Sequence, residues 1–172
     1  DQLTILDIGT GSGCIAVSLK RRIRKANVWA CDLSPAALEV AQKNATELGT
    51  AVKFFQFDFL NRKEWNKLPS FDIIISNPPY IPEKDKHLMQ PNVLNFEPTT
   101  ALFVPDEDPL LFYKSIAEFG KEHLNKDGQI YLEIHENMGE PVCTLFQLAG
   151  YDTELKKDMQ QKDRMIKAVV SR

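Results

Sequence analysis

Apolar residues along this chain gather into short runs that alternate with longer amphipathic stretches. The first run, Leu3-Thr4-Ile5-Leu6-Asp7-Ile8, passes through Gly9-Thr10-Gly11-Ser12-Gly13 into Cys14-Ile15-Ala16-Val17-Ser18-Leu19, which predicts a strand, a tight loop and a helix. Val28-Trp29-Ala30-Cys31 predicts a second strand ending at Asp32. Ser34 is a good N-cap with Pro35 at the first helical position, so a helix is predicted over 36–48, stopped by Gly49. Residues 51–56 predict a third strand leading to Asp58, and 71–76 a fourth. From 77 to 108 the periodicity fades and further prolines stand at 82, 91, 98 and 105; a stretch this long predicts a functional loop rather than a plain connection. Beyond it the pattern predicts a helix over 109–124, a turn at Lys126-Asp127-Gly128, a strand over 129–134, a helix over 141–148 ended by Gly150, and a terminal hairpin of 153–157 with 165–170. Strand and helix alternate, which implies an α/β fold with a mostly parallel sheet and helices on both faces.

Composition narrows the functional classes. With 172 residues, 43% of them hydrophobic, the chain is long enough to bury one core, and 1–172 is expected to form one catalytic domain. A net charge of −3 carries no general footprint for nucleic acid, so direct nucleic-acid binding is not expected. The basic run Lys20-Arg21-Arg22-Ile23-Arg24-Lys25 falls where the first helix ends, where cations complement the helix dipole. No apolar stretch is long enough to span a bilayer and no signal peptide is recognised, so a cytoplasmic protein without membrane contact is expected. Cys14, Cys31 and Cys143 form no C-x-x-C pair, and neither disulfides nor zinc are expected. Glu133 and His135 share one side of a predicted strand, yet no further His or Cys ligand stands at helical spacing nearby, so no metal is expected. The chain opens at Asp1 with no methionine and its first strand starts at Leu3, which suggests a domain taken from a longer protein.

Two motifs carry the chemistry. Asn77-Pro78-Pro79-Tyr80 follows an apolar strand and supplies an amide, a stiff turn and an aromatic face. Proline fixes φ and has no N–H, so Asn77 and the Pro78 carbonyl can be offered as acceptors at fixed angles while Tyr80 lies over a flat group. That arrangement suits a planar, amide-like nitrogen; a proline-rich turn with a surface tyrosine is the plainer alternative. The glycine loop reads G-x-G-x-G, one residue short of the dinucleotide pattern, with Cys14 where that pattern has its third glycine. A pyrophosphate is therefore not its obvious guest. Asp32 stands at the distance at which an acidic residue meets ribose hydroxyls in such folds, although the same loop could be an ordinary tight turn.

Taken together these residues resemble the class I S-adenosylmethionine-dependent methyltransferases. More closely, the chain resembles the release-factor glutamine methyltransferases, which methylate the side-chain amide nitrogen of a glutamine in peptide chain release factors. The likeness runs over nearly the whole chain: residues 7–13, Asp32, Asp58-Phe59, residues 76–81, Phe96-Glu97-Pro98 with Ala101-Leu102, Leu132-Glu133-Ile134, and Lys157-Asp158 with Asp163-Arg164. It implies a Rossmann-like, seven-stranded sheet with an antiparallel last strand. It also implies that Asp7, Gly9, Thr10, Gly11, Gly13, Asp32, Asp58, Phe59 and Asn77 bind S-adenosyl-L-methionine, leaving S-adenosyl-L-homocysteine as product. Asn77, Pro78 and Tyr80 are then catalytic, and Asn77, Pro78, Pro79 and Tyr80 hold the substrate glutamine. The plainer alternative for Asp58 is a helix or turn cap, and Glu97 reads as a loop anchor or a substrate contact. Release factors are the implied partners, with an upstream helical domain that helps grip them. The chain departs from the family at Asp106-Glu107-Asp108-Pro109-Leu110, where a glycine usually breaks the acidic run, and at 135–138, where a glycine and a glutamine are usual. The alternatives are a glutamine methyltransferase of a ribosomal protein, a nucleic-acid amino-group methyltransferase, which should show a basic face or target-recognition domain, and a non-catalytic cofactor-binding module, which should lose Asn77 or the glycines.

Overall fold

The computed structural model describes residues 2–82, 86 and 103–171. Its centre is β1 (Thr4–Ile8), in which Ile5, Leu6, Asp7 and Ile8 are all buried. A strand covered on both faces reads as a continuous apolar run rather than an alternating one, and apart from Asp7 the buried residues of this strand do. β1 pairs in parallel with β2 (Asn27–Asp32) on one side and with β4 (Phe71–Ser76) on the other, while β3 (Lys53–Gln56) extends the sheet beyond β2. Past β4 come β7 (Leu124–Glu133), β9 (Asp163–Val170) and β8 (Tyr151–Lys157), giving the seven-stranded order β3-β2-β1-β4-β7-β9-β8. β9 runs antiparallel to both its neighbours, so the antiparallel last strand implied by the resemblance is present.

Helices cover both faces. α1 (Cys14–Arg22) packs on β1 and β2, and α2 (Pro35–Glu47) lies over β2 and β3. The cluster they enclose holds Ile5, Ala16, Ala26, Val28 and Ala30. The larger cluster lies on the other face, where α3 (Leu111–His123) and α4 (Gly139–Leu148) meet Leu6, Ile74, Ile130, Leu132 and Ile166. Ser34 caps α2 as expected, its Oγ accepting from the Ala37 N–H at 3.2 Å. Lys20, Arg21 and Arg22 form the last turn of α1, and Lys20 Nζ donates to the carbonyls of Arg24 at 3.0 Å and Ala26 at 2.7 Å, so the basic run closes a helix. Among the described residues no helix is long and apolar enough to cross a membrane.

Several boundaries differ from expectation. β3 starts two residues late, because pairing with β2 begins only at Lys53 opposite Trp29. The turn at Lys126-Asp127-Gly128 lies inside β7: Phe71 faces Leu124 but Ile73 faces Gln129, so the surplus residues bulge out, with Asp127 at φ +64°. A 3-10 turn over Arg62–Lys67 and a short parallel pair, β5 (Ile81–Pro82) with β6 (Phe103–Val104), have no counterpart in the hydrophobic pattern. Phe96-Glu97-Pro98 and Ala101-Leu102 lie outside the described residues.

The strand order reverses at β1 and β4. The loops leaving these two strands diverge to opposite faces and open a crevice at their carboxyl ends, where doubly wound sheets bind ligands.

Candidate active site

The glycine loop after β1 is tied down from beneath. The N–H groups of Gly9 and Thr10 both donate to the Cys31 carbonyl at 2.9 Å, and Gly13 N–H donates back to Thr10 O at 2.9 Å. Below them Asp7, 1% exposed, accepts at Oδ2 from Thr10 Oγ1 at 2.7 Å and from the Ala16 N–H at 3.2 Å. Its Oδ1 is buried without a partner. Burial pushes the Asp7 carboxyl up to about 6 against the opposing pull of these two hydrogen bonds, with the Asp32 charge adding a little. The Cys31 thiol beside it is pushed up to about 12, again chiefly by burial, and stays protonated.

Asp32 joins two loops. Its Oδ2 accepts from the Gly11 N–H at 2.8 Å and its Oδ1 from the Ser34 N–H at 2.9 Å, so the carboxylate pins the glycine loop to the start of α2. Each oxygen keeps a second lone pair for a ligand hydroxyl. Asp58 is exposed and caps its own turn, accepting at Oδ1 from the Leu60 N–H at 3.1 Å. Phe59 is 5% exposed, its ring packed edge-on against Phe119 and tilted on Trp65, so most of that face is committed to the core.

Ser76 at the end of β4 donates its hydroxyl to the Ile8 carbonyl at 2.8 Å, a buried link that fixes the next four residues against the glycine loop. Asn77 is then exposed, Pro78 buried, and Pro79 and Tyr80 half-buried. The Tyr80 ring centre lies 5.9 Å from that of His135. Its phenol is raised by burial first and then by the Glu133 carboxylate, against the lowering effect of Arg164. Tyr113, fully buried, donates its hydroxyl to the Glu133 carbonyl at 3.1 Å.

These parts surround one cavity of about 1000 Å³. Gly9, Thr10, Gly11, Asp32, Asp58, Phe59, Asn77, Pro78, Pro79 and Tyr80 all line it. Asp7 and Gly13 do not: Asp7 lies under the loop, and a Cβ on Gly13 would stand 2.9 Å from Ala41 Cβ, so that glycine lets α1 approach α2. Sequence reasoning overlooked Leu33, 55% exposed on the cavity wall, along with Phe112 and the side of Glu133 that faces the cavity. An apolar residue directly after a strand-ending aspartate was a readable signal for Leu33. Nothing local marks Phe112, which arrives from α3.

Two observations fit the site to an adenosyl group. A Cβ added at Gly9 or Gly11 would meet no protein atom within 4 Å, so the loop presents bare backbone to open space. Asp32 and the exposed Leu33 side by side offer hydroxyl acceptors and an apolar face.

The profile described as "Methyltransferase small domain" matches residues 1–94. A "Release factor glutamine methyltransferase" of Bacteroides thetaiotaomicron is 46% identical over 169 residues, 98% of this chain and 60% of that protein. Another of the same name from Flavobacterium psychrophilum is 45% identical, covering 96% of this chain and 58% of its own length. The chain thus spans about three fifths of the length of these two relatives. Among solved structures, a methyltransferase from Pyrococcus furiosus superposes with a TM-score of 0.71 at 17% identity, over 99% of this chain and 76% of that one.

Proposed function

Because the chain belongs to the methyltransferase small domain family, we propose that it transfers a methyl group from S-adenosyl-L-methionine to the side-chain amide nitrogen of a glutamine in peptide chain release factors. The observation that carries this reading is the position of Asn77-Pro78-Pro79-Tyr80, held by the Ser76 to Ile8 bond at the rim of the cavity that Gly9, Gly11 and Asp32 also line. The names of the relatives support the choice of substrate. The bound cofactor supplies an electrophilic methyl group on a sulfonium.

The residues of this chain do the rest. Asp32 accepts from the ribose hydroxyls, Leu33 and Leu60 supply apolar surface for the purine, and Asp58 accepts from its amino group through the oxygen its turn leaves open. Asp7 acts from beneath, keeping the loop in shape through Thr10 and Ala16. A glutamine amide nitrogen is a poor nucleophile because its lone pair is delocalised into the carbonyl. Asn77 Oδ1 and the Pro78 carbonyl accept its two N–H groups and favour the form in which charge returns to nitrogen, while Tyr80 packs on the amide plane. Positioning of this kind is worth up to ~7–11 kcal/mol of barrier, and preorganised acceptors add to it. No side-chain base is needed, since an amide nitrogen that has gained a methyl group and positive charge loses its proton readily.

Incubating the protein with labelled S-adenosyl-L-methionine and a release factor, then locating the label by peptide mass spectrometry, tests the reading. One added methyl on one glutamine is expected. Label on a ribosomal protein, on nucleic acid, or nowhere would reject the proposed substrate.

A further inference from the structure

The basic run from Lys20 to Lys25 holds more charge than closing a helix requires. Its six residues contain five of the chain's 21 lysines and arginines, and no acidic residue stands between Asp7 and Asp32. One cation is spent on structure: Lys20 Nζ takes the carbonyls of Arg24 and Ala26, which answers the open carbonyl end of α1. Arg21, Arg22 and Arg24 are all exposed, and among the described residues none of them is paired with a carboxylate. Like charges this close repel one another, and a bound anion would relieve them.

The three arginines line a groove of about 880 Å³, separate from the cofactor cavity. The groove also takes in the turn after α2, where Leu48, 49% exposed, leads into Gly49 and Thr50. Four of its nine lining residues are cations and none is acidic. It lies at the far end of the sheet from the active site. α1 leaves the crevice at Cys14 and carries the chain roughly 13 Å along its axis, to where Asn27 pairs with Thr4 at the amino ends of β2 and β1.

The donors decide what such a groove can hold. Its backbone N–H groups are committed within their own turns, Gly49 to the Thr46 carbonyl at 3.1 Å and Thr50 to the Ala45 carbonyl at 2.9 Å. A small anion is held by preorganised donors, and here the free donors sit on long exposed side chains that must be ordered on binding. Along a polymer with a charge on every nucleotide, each of those side chains finds a phosphate and each contact releases counterions. Arginine forks match phosphate oxygens bidentately, and their planes also stack on bases. An acidic protein segment has the same sign but gives those planes nothing to stack on. The whole-chain charge of −3 averages this face away.

We propose that the groove between the end of α1 and the turn after α2 binds the phosphodiester backbone of a nucleic acid, independently of base sequence, through Arg21, Arg22 and Arg24. The strand lies behind the catalytic crevice, so it is held and not methylated, and its binding needs no part of the glutamine-methylating reading. One end of the sheet serves as a tether and the other stays open to a protein substrate.

Fluorescence anisotropy with a short single-stranded RNA and a short DNA duplex, each over a salt series, tests the proposal. Three phosphate contacts predict that the logarithm of the association constant falls with that of the salt concentration at a slope of about −2 for the RNA and about −3 for the duplex. Saturable binding of either probe with such a slope supports the proposal, and the tighter probe names the source. Changing Arg21→Gln, Arg22→Gln and Arg24→Gln together should weaken binding ~10-fold or more at about 50 mM salt and remove most of the slope, with Tm and cofactor affinity unchanged. If that variant does not fold, each single change should flatten the RNA slope by about 0.7. Changing Lys121→Gln, Lys126→Gln and Lys157→Gln removes the same charge elsewhere and should leave binding intact. No saturable binding at low salt, an equal loss in the lysine variant, or displacement by polyglutamate or pyrophosphate as readily as by nucleic acid would each overturn the proposal. So would transfer of labelled methyl to the RNA or DNA, which would place the strand in the crevice.

Discussion

Asp7 looks like a cofactor ligand in the sequence and behaves as a foundation in the structure. A carboxyl raised from 3.8 to about 6 by burial binds its proton more tightly folded than unfolded. Its contribution to stability is therefore fully present below pH 3.8 and is lost as pH rises towards about 6. The loss amounts to roughly 3 kcal/mol at about 1.4 kcal/mol per pH unit. Thermal melts of the protein and of Asp7→Asn should accordingly converge, or cross in favour of the variant, between about pH 4 and pH 7; a constant gap would show that Asp7 is ionised throughout. Asn77 makes the opposite case. Exposed and outside the core, its replacement by alanine should leave Tm and cofactor affinity nearly unchanged, while methyl transfer falls by ~10²-fold or more, as for a lost transition-state acceptor. Intact turnover would remove Asn77 from the mechanism. Asn77 and Asp32 were legible in the sequence because their neighbours in the chain fix their place. Glu133 and Tyr80 are legible one by one, but that they line one cavity depends on strands that meet only in the folded sheet.

The loop between β1 and α1 shows how one element divides its labour. Gly13, at φ +78° with Ala41 2.9 Å from its absent Cβ, serves packing. Gly9, at φ +70° with open space there, serves the cavity. Gly13→Ala should cost roughly 2–4 kcal/mol of stability from left-handed strain and overpacking combined. Gly9→Ala should cost only the strain, about 1–2 kcal/mol, yet weaken S-adenosyl-L-methionine binding by ~10-fold or more, read by calorimetry. Equal effects of the two changes on affinity would contradict this division. The elements that sequence reasoning placed well are those with punctuation at both ends, such as α2 between Ser34 and Gly49 or β4 between Ser70 and Asn77. It failed where pairing decides: Lys126-Asp127-Gly128 carries a turn signal, but the strand continues through it as a bulge because β4 offers partners on both sides. The β5–β6 pair, two residues on each strand, is too short to leave any periodic trace.

At the scale of the whole molecule, the cavity is built within residues 8–133, while the relatives are longer than the stretch they share with this chain. Cofactor binding should therefore be complete in the 172 residues. Methylation of a release factor should show a higher KM than in a protein of the relatives' length, with kcat less affected, since remote contacts made alike in ground and transition states act on binding. Equal KM values would place recognition within this chain.

The position of β9 bears on how the protein is made. The last strand in the chain is not at the sheet's edge but between β7 and β8, and β8 touches the sheet only through it. During synthesis, which proceeds from the N-terminus, the five parallel strands can associate as they emerge, but β7 is left with an open edge and β8 with nothing to pair until β9 has emerged. The order of the strands thus makes completion of the sheet wait for the strand that is synthesised last of the seven.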